Sequence, residues 1–453
     1  MPTSQPLQLL FLGTATSTGL PLTPCLTLST PYPQKWSNMV PLLQDRERLP
    51  SRSPSLASTA SSSAYSNSTY DPEGEWPKNI PCACCRSAVD PDVPEGWKNK
   101  RGNTSVLLRK QTAEGDWKNV LVDVDADAYF GLDDLREWCV RQGSAIPVYL
   151  NKETFRAVEE TFPYMVDKTK VSGGGDVPQL IWKVIEDEGE FQVEGIDVRV
   201  FPVHHGIYFH SVLPPTNAEP VCDPPTKLEP EPLICLAFEF DASIIYMSDV
   251  SGIPQRTWDR MLRTSSKRQP ILPTPVDSRG GDETPRGVPK NQSISDLANL
   301  SISSRGPRHL ERTRAHNVPV LIVDALWPTQ AHTSHFSLAQ ALIVALRLRA
   351  ANTYVIGSTH PTSHFMWEEI CNSLTDRGGR DYEVRDHPDA AQAEWLVKKV
   401  WDKVFGEGEH EGLGERWIEE GGRVQPAWDG LVLEVGGDQG LERADLISQG
   451  LLI

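Results

Sequence analysis

Short apolar runs that stop abruptly on a histidine, an acid or a small-residue turn recur along this chain, and they constrain its fold more than any other feature. Leu7–Leu12 runs into Gly13-Thr14-Ala15-Thr16-Ser17-Thr18-Gly19, Asn119–Val124 delivers an acid at its end, and Asp197–Val203 leads into His204-His205-Gly206. Further along, Ile234–Phe240 and Ser243–Met247 form a hairpin-like pair ahead of Ser248-Asp249. Val318–Val323 precedes Asp324-Ala325-Leu326, and Tyr354–Gly357 leads to Ser358-Thr359-His360. Runs of this length bounded by turn residues read as buried strands. Helical patterns lie between them. Asp125–Arg136 is a loop feeding a helix with Leu132, Leu135 and Cys139 on one face, and Lys152–Phe162, Pro254–Leu262 and Ala391–Phe405 are further helices. Leu338, Leu342, Ala345 and Leu346 mark another, and Arg423–Val435 reads as a final strand interrupted by Asp429-Gly430. Strand and helix patterns thus alternate along the chain.

Two stretches do not fit a core. Within residues 31–79, Ser51–Thr69 is nearly half serine with almost no large apolar residue, and residues 263–317 are rich in Pro, Ser, Arg and Gly. Such segments bury too little surface to offset the entropy of ordering them. The expectation is a single domain over residues 1–453 with two disordered insertions, its core supplied by a chain that is 39% hydrophobic with 13 Trp. A net charge of -17 argues against nucleic acid and anionic membranes, which need a basic face. No apolar run reaches membrane-spanning length, and the N-terminus enters a strand pattern directly. A soluble cytoplasmic protein is expected, a nuclear one being the alternative; a homodimer is an assembly the sequence leaves open.

The chemistry-bearing residues are each ambiguous alone. Cys82, Cys84 and Cys85 can present two or three thiolates to one Zn²⁺, with a fourth ligand from elsewhere, or they can be reduced, partly buried thiols. His204 and His205 end a strand beside a glycine. Asp249 follows an apolar run, where an acid either ligates a cation or caps the next helix. His335 stands just before a helix, His360 ends a strand, and His364 opens the helix through Trp367 and Ile370.

Ala126-Asp127-Ala128 followed by Gly131-Leu132-Asp133-Asp134-Leu135-Arg136 is similar to the tail of the His-x-His-x-Asp motif of metallo-β-lactamase-fold hydrolases. The closer likeness is to a eukaryotic, fungal- or plant-type branch that carries Ala-Asp-Ala before Gly-Leu-Asp-Asp-Leu-Arg. The turn from Gly13 to Gly19 resembles the first strand and turn of that fold's phosphodiesterases and tRNA 3′-processing nucleases. The resemblance implies a four-layer αββα fold. It also implies a hydrolase of small phosphodiesters or related esters that uses Zn²⁺, with Mn²⁺ as an alternative at the catalytic site. It assigns Asp127, His205, Asp249 and His360 as metal ligands, Asp249 bridging two cations, and His335 as a proton donor to the leaving oxygen. The bacterial phosphodiesterases of phosphonate degradation add a structural zinc. Here its matches are Cys25, Cys82, Cys85 and His364, with Cys84 competing for a place.

One departure is large. The first histidine of the chain is His204, so no His-x-His pair precedes Asp127. In the resembling family a helix and a strand separate the Leu121-Val122-Asp123-Val124 strand from the His-x-His loop, because parallel neighbours need a crossover of about a dozen residues. This chain passes from one to the other directly. The junction Val124-Asp125 therefore reads as the deletion of one βα unit. The catalytic metal site is expected to be impaired, the alternative function being a metal-poor, inactive binding scaffold.

Overall fold

A computed structural model of the chain describes residues 7–16, 19–22, 25–26, 64–66, 69–74, 82–123, 131–132, 135–171, 177–211, 228–266, 318–375, 377–435 and 441–445. The predicted insertion at 31–79 lies outside these except for a short antiparallel pair, β2 (Ala64–Ser66) and β3 (Thr69–Gly74). The second, at 263–317, lies outside them except for its first four residues, which continue a helix.

Two sheets carry the architecture. The first has the order β16-β15-β1-β4-β5, formed by β1 (Leu7–Gly13), β4 (Ser105–Gln111), β5 (Trp117–Val122), β15 (Leu431–Val435) and β16 (Leu441–Asp445), all antiparallel. The second has the order β14-β13-β12-β11-β10-β9-β8. It comprises β8 (Glu190–Val193), β9 (Ile196–Ser211), β10 (Leu228–Phe240), β11 (Ile244–Met247), β12 (Val318–Asp324), β13 (Ala350–Ile356) and β14 (Val424–Pro426). Strands β11 to β14 run parallel, so their carboxyl ends come out on one edge. Asp241 and Ala242 both take positive φ, 46° and 53°, at the centre of the tight turn between β10 and β11, which Ser243 N closes by donating to Phe240 O at 2.8 Å.

The period-two alternation of the strands builds two cores. Leu7, Leu9, Phe11, Val106 and Leu108 from the first sheet meet Ile244, Tyr246, Val320, Ile322 and Tyr354 from the second. Ile245, Met247, Leu321, Val323 and Val355 face the other way. There they pack under α4 (Gln255–Ser266), α5 (Leu338–Leu348), α6 (His364–Ser373), α7 (Ala390–Lys399) and α8 (Leu413–Glu419), whose Trp258, Leu342, Trp367, Leu396 and Trp417 are buried. Each such side chain contributes roughly 1.5–3 kcal/mol through burial. A capping box between Ser337 and Gln340 fixes where α5 begins, and with it the residues just before. Helix α7 passes into a π turn at Val400–Val404, so the helix expected over 391–405 changes pitch partway.

Two strand predictions need correction. The segment 423–435 is two strands in different sheets, because Gly430 at φ 93° turns the chain from β14 across to β15. Strand β9 does not end at His204 but runs on to Ser211. The histidines sit inside it, at a bulge where the β9–β10 register shifts between Pro232 and Ile234.

The first sheet is interrupted. Among the described residues β5 pairs with β4 alone, while β6 (Ile146–Leu150) and β7 (Leu180–Val184) form a separate parallel pair. Tyr149 of β6 stacks on Phe191 of β8 at 5.1 Å, and both pack against the inter-sheet core that Val120 and Val122 of β5 also join.

Asp429, in the turn between β14 and β15, accepts hydrogen bonds from Thr14 Oγ1 at 2.7 Å and Gly102 N at 2.6 Å, locking the turn after β1. Burial pushes its carboxyl from 3.8 up to about 6. Because the folded value is the higher one, the stability this group contributes is fully present below the unfolded value and is lost as pH rises through about 6. About two pH units correspond to about 3 kcal/mol. Urea unfolding of wild type and Asp429→Asn at pH 4 and pH 7 should show the variant gaining on wild type at the higher pH. A stability difference independent of pH would contradict this.

Candidate metal centres

The carboxyl ends of β11, β12 and β13 and the bulge of β9 bring polar side chains to one edge of the second sheet. His205 on β9, Asp249 after β11 and His335 before α5 each offer a ligand atom, and those atoms lie within 4.8 Å of one another. The rings of His205 and His335 meet edge to face at 4.7 Å. Gly206 makes this approach possible: it adopts φ +66°, and a Cβ there would stand 2.7 Å from Ser334 Oγ. Ser251 holds the bulge, its Oγ accepting from Gly206 N at 2.9 Å and its N–H donating to His204 O at 2.6 Å. His204 thus serves as a backbone anchor, bridged to Gly252, and not as a member of the group.

The electrostatics suit a cation. Burial lowers the pKa of both His205 and His335, keeping the imidazoles neutral and able to ligate. His205 Nδ1 is buried without a hydrogen-bond partner. His335 Nδ1 lies 2.6 Å from Oδ2 of Asp324, a fully buried carboxylate at the end of β12. A carboxylate on one ring nitrogen of a histidine near a candidate cation site is the pairing found in carboxylate–histidine–metal arrangements. Asp324 escaped the sequence reading because a strand-end acid carries no mark of what it will face. Asp123 escaped it too. It adopts φ 57°, accepts from Tyr246 Oη at 2.7 Å, and is raised to about 6 by burial and by neighbouring Asp249. A non-glycine residue held at positive φ beside a polar centre was the available signal only once the backbone was known. Asp127 lies outside the described residues.

A second centre lies beyond β13. Cys25, Cys82, Cys85 and His360, all buried, also have ligand atoms within 4.8 Å of one another. His360 Nδ1 stands 3.4 Å from the sulfurs of Cys25 and Cys82 and 3.7 Å from that of Cys85. Ligands of a tetrahedral zinc, with Zn–S near 2.3 Å and Zn–N near 2.0–2.1 Å, lie about 3.6 Å apart. The donor set therefore fits Zn²⁺ in both chemistry and spacing. Hydrogen bonds from Cys82 and Cys85 hold the Cys25 thiol down to about 2, while burial pushes Cys82 up and the bond to Cys25 pushes Cys85 up.

This placement differs from the expectation in two residues. His360, assigned to the catalytic group, sits with the cysteines, and His364, assigned to the cysteines, does not. His364 opens α6, where its backbone N–H donates to Asn99 Oδ1 at 2.6 Å and its ring lies edge-on to Trp428 at 5.5 Å. Burial and nearby Lys98 and Arg101 keep it neutral. Helix geometry places Cys84 and Cys85 differently. In α1 (Ala83–Val89) Cys85 lies three residues after the N-cap Cys82, on the same side, while Cys84 turns to Asn99 Oδ1 at 3.5 Å.

Residues 118–265 match the beta-lactamase superfamily domain family. Among solved structures, one titled as a new diphosphatase from the PhnP family is 17% identical, covering 95% of this chain and 97% of that one, with a TM-score of 0.42. The metallo-beta-lactamase fold protein YhfI from Bacillus subtilis is 9% identical over 95% of this chain and 100% of its own, TM-score 0.38. Unliganded yeast PDE1 is 12% identical over 68% and 65%, TM-score 0.34. No curated protein matches the chain. No helix among the described residues is long and apolar enough to cross a membrane.

Proposed function

We propose that this chain, whose residues 118–265 match the beta-lactamase superfamily domain family, is a metal-dependent hydrolase of the phosphodiesterase kind, acting on a small phosphodiester or related ester. The observation that carries this reading is the convergence of His205, Asp249 and His335 within reach of one divalent cation, Zn²⁺ or Mn²⁺. His205, Asp249 and His335 would hold a cation there, and it would supply polarisation of a phosphoryl oxygen and a more acidic water. The protein's own groups arrange the rest. Asp324 Oδ2 lies 2.6 Å from His335 Nδ1, and with the ring's proton on that nitrogen Nε2 offers a lone pair to a cation, a ligand role beside the proton-donor role that the resemblance implies. Asp249 supplies the one carboxylate of the group. His332, half-buried beside His335 at 5.5 Å between ring centroids and kept neutral by burial, is placed at its rim.

A second reading, a weakly active or inactive relative that binds its ligand without turning it over, is favoured by the absence of any histidine before His204. The break between β5 and the β6–β7 pair supports the same view, since a βα unit inserted between Val124 and Asp125 would fall there. The two readings separate in an assay with bis(p-nitrophenyl) phosphate and Mn²⁺ or Zn²⁺. Slow, metal-dependent turnover that drops at least about tenfold in Asp249→Ala supports the hydrolase. Turnover indistinguishable from that of Asp249→Ala supports the scaffold.

A further inference from the structure

The two centres are joined by four residues. Gly357 follows β13 at φ +70°, so close to Asp324 that a Cβ would come within 2.3 Å of Oδ1. Asp324 in turn holds His335 through Oδ2. Three residues after Gly357, His360 enters the cysteine centre through Nδ1. The segment between is tied at each step. Gly357 N donates to Thr14 O at 3.0 Å, Arg101 Nη1 donates to Ser358 O at 2.8 Å and to Ser358 Oγ at 2.6 Å, and Ala325 N donates to Ile356 O at 2.9 Å. Such a chain has little slack, because a short segment pinned at both ends transmits a displacement instead of absorbing it.

We propose that the cysteine centre is a positioning element for the other site: a cation among Cys25, Cys82, Cys85 and His360 holds residues 357–360 against Asp324, and Asp324 thereby fixes the ring of His335. Releasing His360 frees the segment that walls Asp324, and His335 loses the partner that sets its orientation and tautomer. The cysteine centre then governs whether His205, Asp249 and His335 can close on a cation. This rests on the reading of those three residues as a cation site, and the test separates the two claims.

With the cysteine centre loaded with zinc, Mn²⁺ provides a probe that avoids thiolates and prefers nitrogen and oxygen donors. Its binding is followed by loss of the free-ion electron paramagnetic resonance signal. Intact chain should bind one Mn²⁺, and His335→Ala should weaken that binding; no Mn²⁺ binding by intact chain overturns the cation-site reading itself. Given binding, Cys25→Ser should lower Mn²⁺ affinity at least about tenfold. Gly357→Ala should do the same while keeping its zinc, which guards against a cysteine variant that fails to fold. Nitrogen-15 spectra of the His335 ring in both variants should show the proton leaving Nδ1, a change that general loosening elsewhere would not produce. Unchanged Mn²⁺ affinity and an unchanged His335 tautomer in Gly357→Ala would overturn the proposal.

Discussion

Replacing both Cys82 and Cys85 with Ser is expected to remove about one equivalent of zinc and to lower stability by several kcal/mol. Both side chains are fully buried, and together with Cys25 and His360 they tie the turn after β1, the start of α1 and the loop before α6 into one point. Those three segments are far apart in sequence. Zinc binding in small structural sites is worth about 10–16 kcal/mol at neutral pH, comparable to the whole stability of a domain. Only part of that appears as folding stability, because unfolded Cys and His also bind zinc. Metal analysis and urea unfolding are the checks, and unchanged zinc content in the double variant would remove the basis for this centre.

Inserting a helix, a strand and a His-x-His loop between Val124 and Asp125 is expected to raise phosphodiesterase activity by at least about a hundredfold. The present group offers one carboxylate and two imidazoles from His205, Asp249 and His335, enough for one cation. Two added imidazoles would complete a two-metal clamp that activates water and stabilises the leaving oxygen, each role worth several kcal/mol, with about 1.4 kcal/mol per tenfold in rate. The sheet has a place for the added strand, since among the described residues β5 pairs only with β4, and Leu121 on its outward face is 37% exposed. Assay with bis(p-nitrophenyl) phosphate should show the gain, and His335→Ala or Asp249→Ala in the longer chain should abolish it. Equal rates with and without the insertion would mean the site closes by another route.

Strand positions were legible because burial on a pleated surface leaves a local record: Ile244 to Met247 and Val318 to Val323 are apolar whichever face each residue meets. His205 and Asp249 were singled out by the resemblance, since a histidine beside a glycine and an acid just past an apolar run suit a packed ring and a helix cap as well as a cation. What separates His360 from His364 is not local. Ser363 caps α6 and sends His364 inward under Trp428, a residue from the far end of the chain, leaving His360 in the loop that reaches the cysteines. Nor could spacing reveal Asp324 or Asp123, whose meaning comes from His335 and Tyr246, brought opposite them by the segment before α5 and by β11. Fold legibility follows sequence patterns, whereas ligand identity follows which loop ends up beside which.

The account stands most directly on where metal binds. Crystals of the zinc-loaded chain, measured on both sides of the zinc absorption edge, should show two anomalous peaks. One should lie among Cys25, Cys82, Cys85 and His360, and one between His205, Asp249 and His335. A peak at the cysteines alone, with zinc in excess, would contradict the proposed hydrolytic centre.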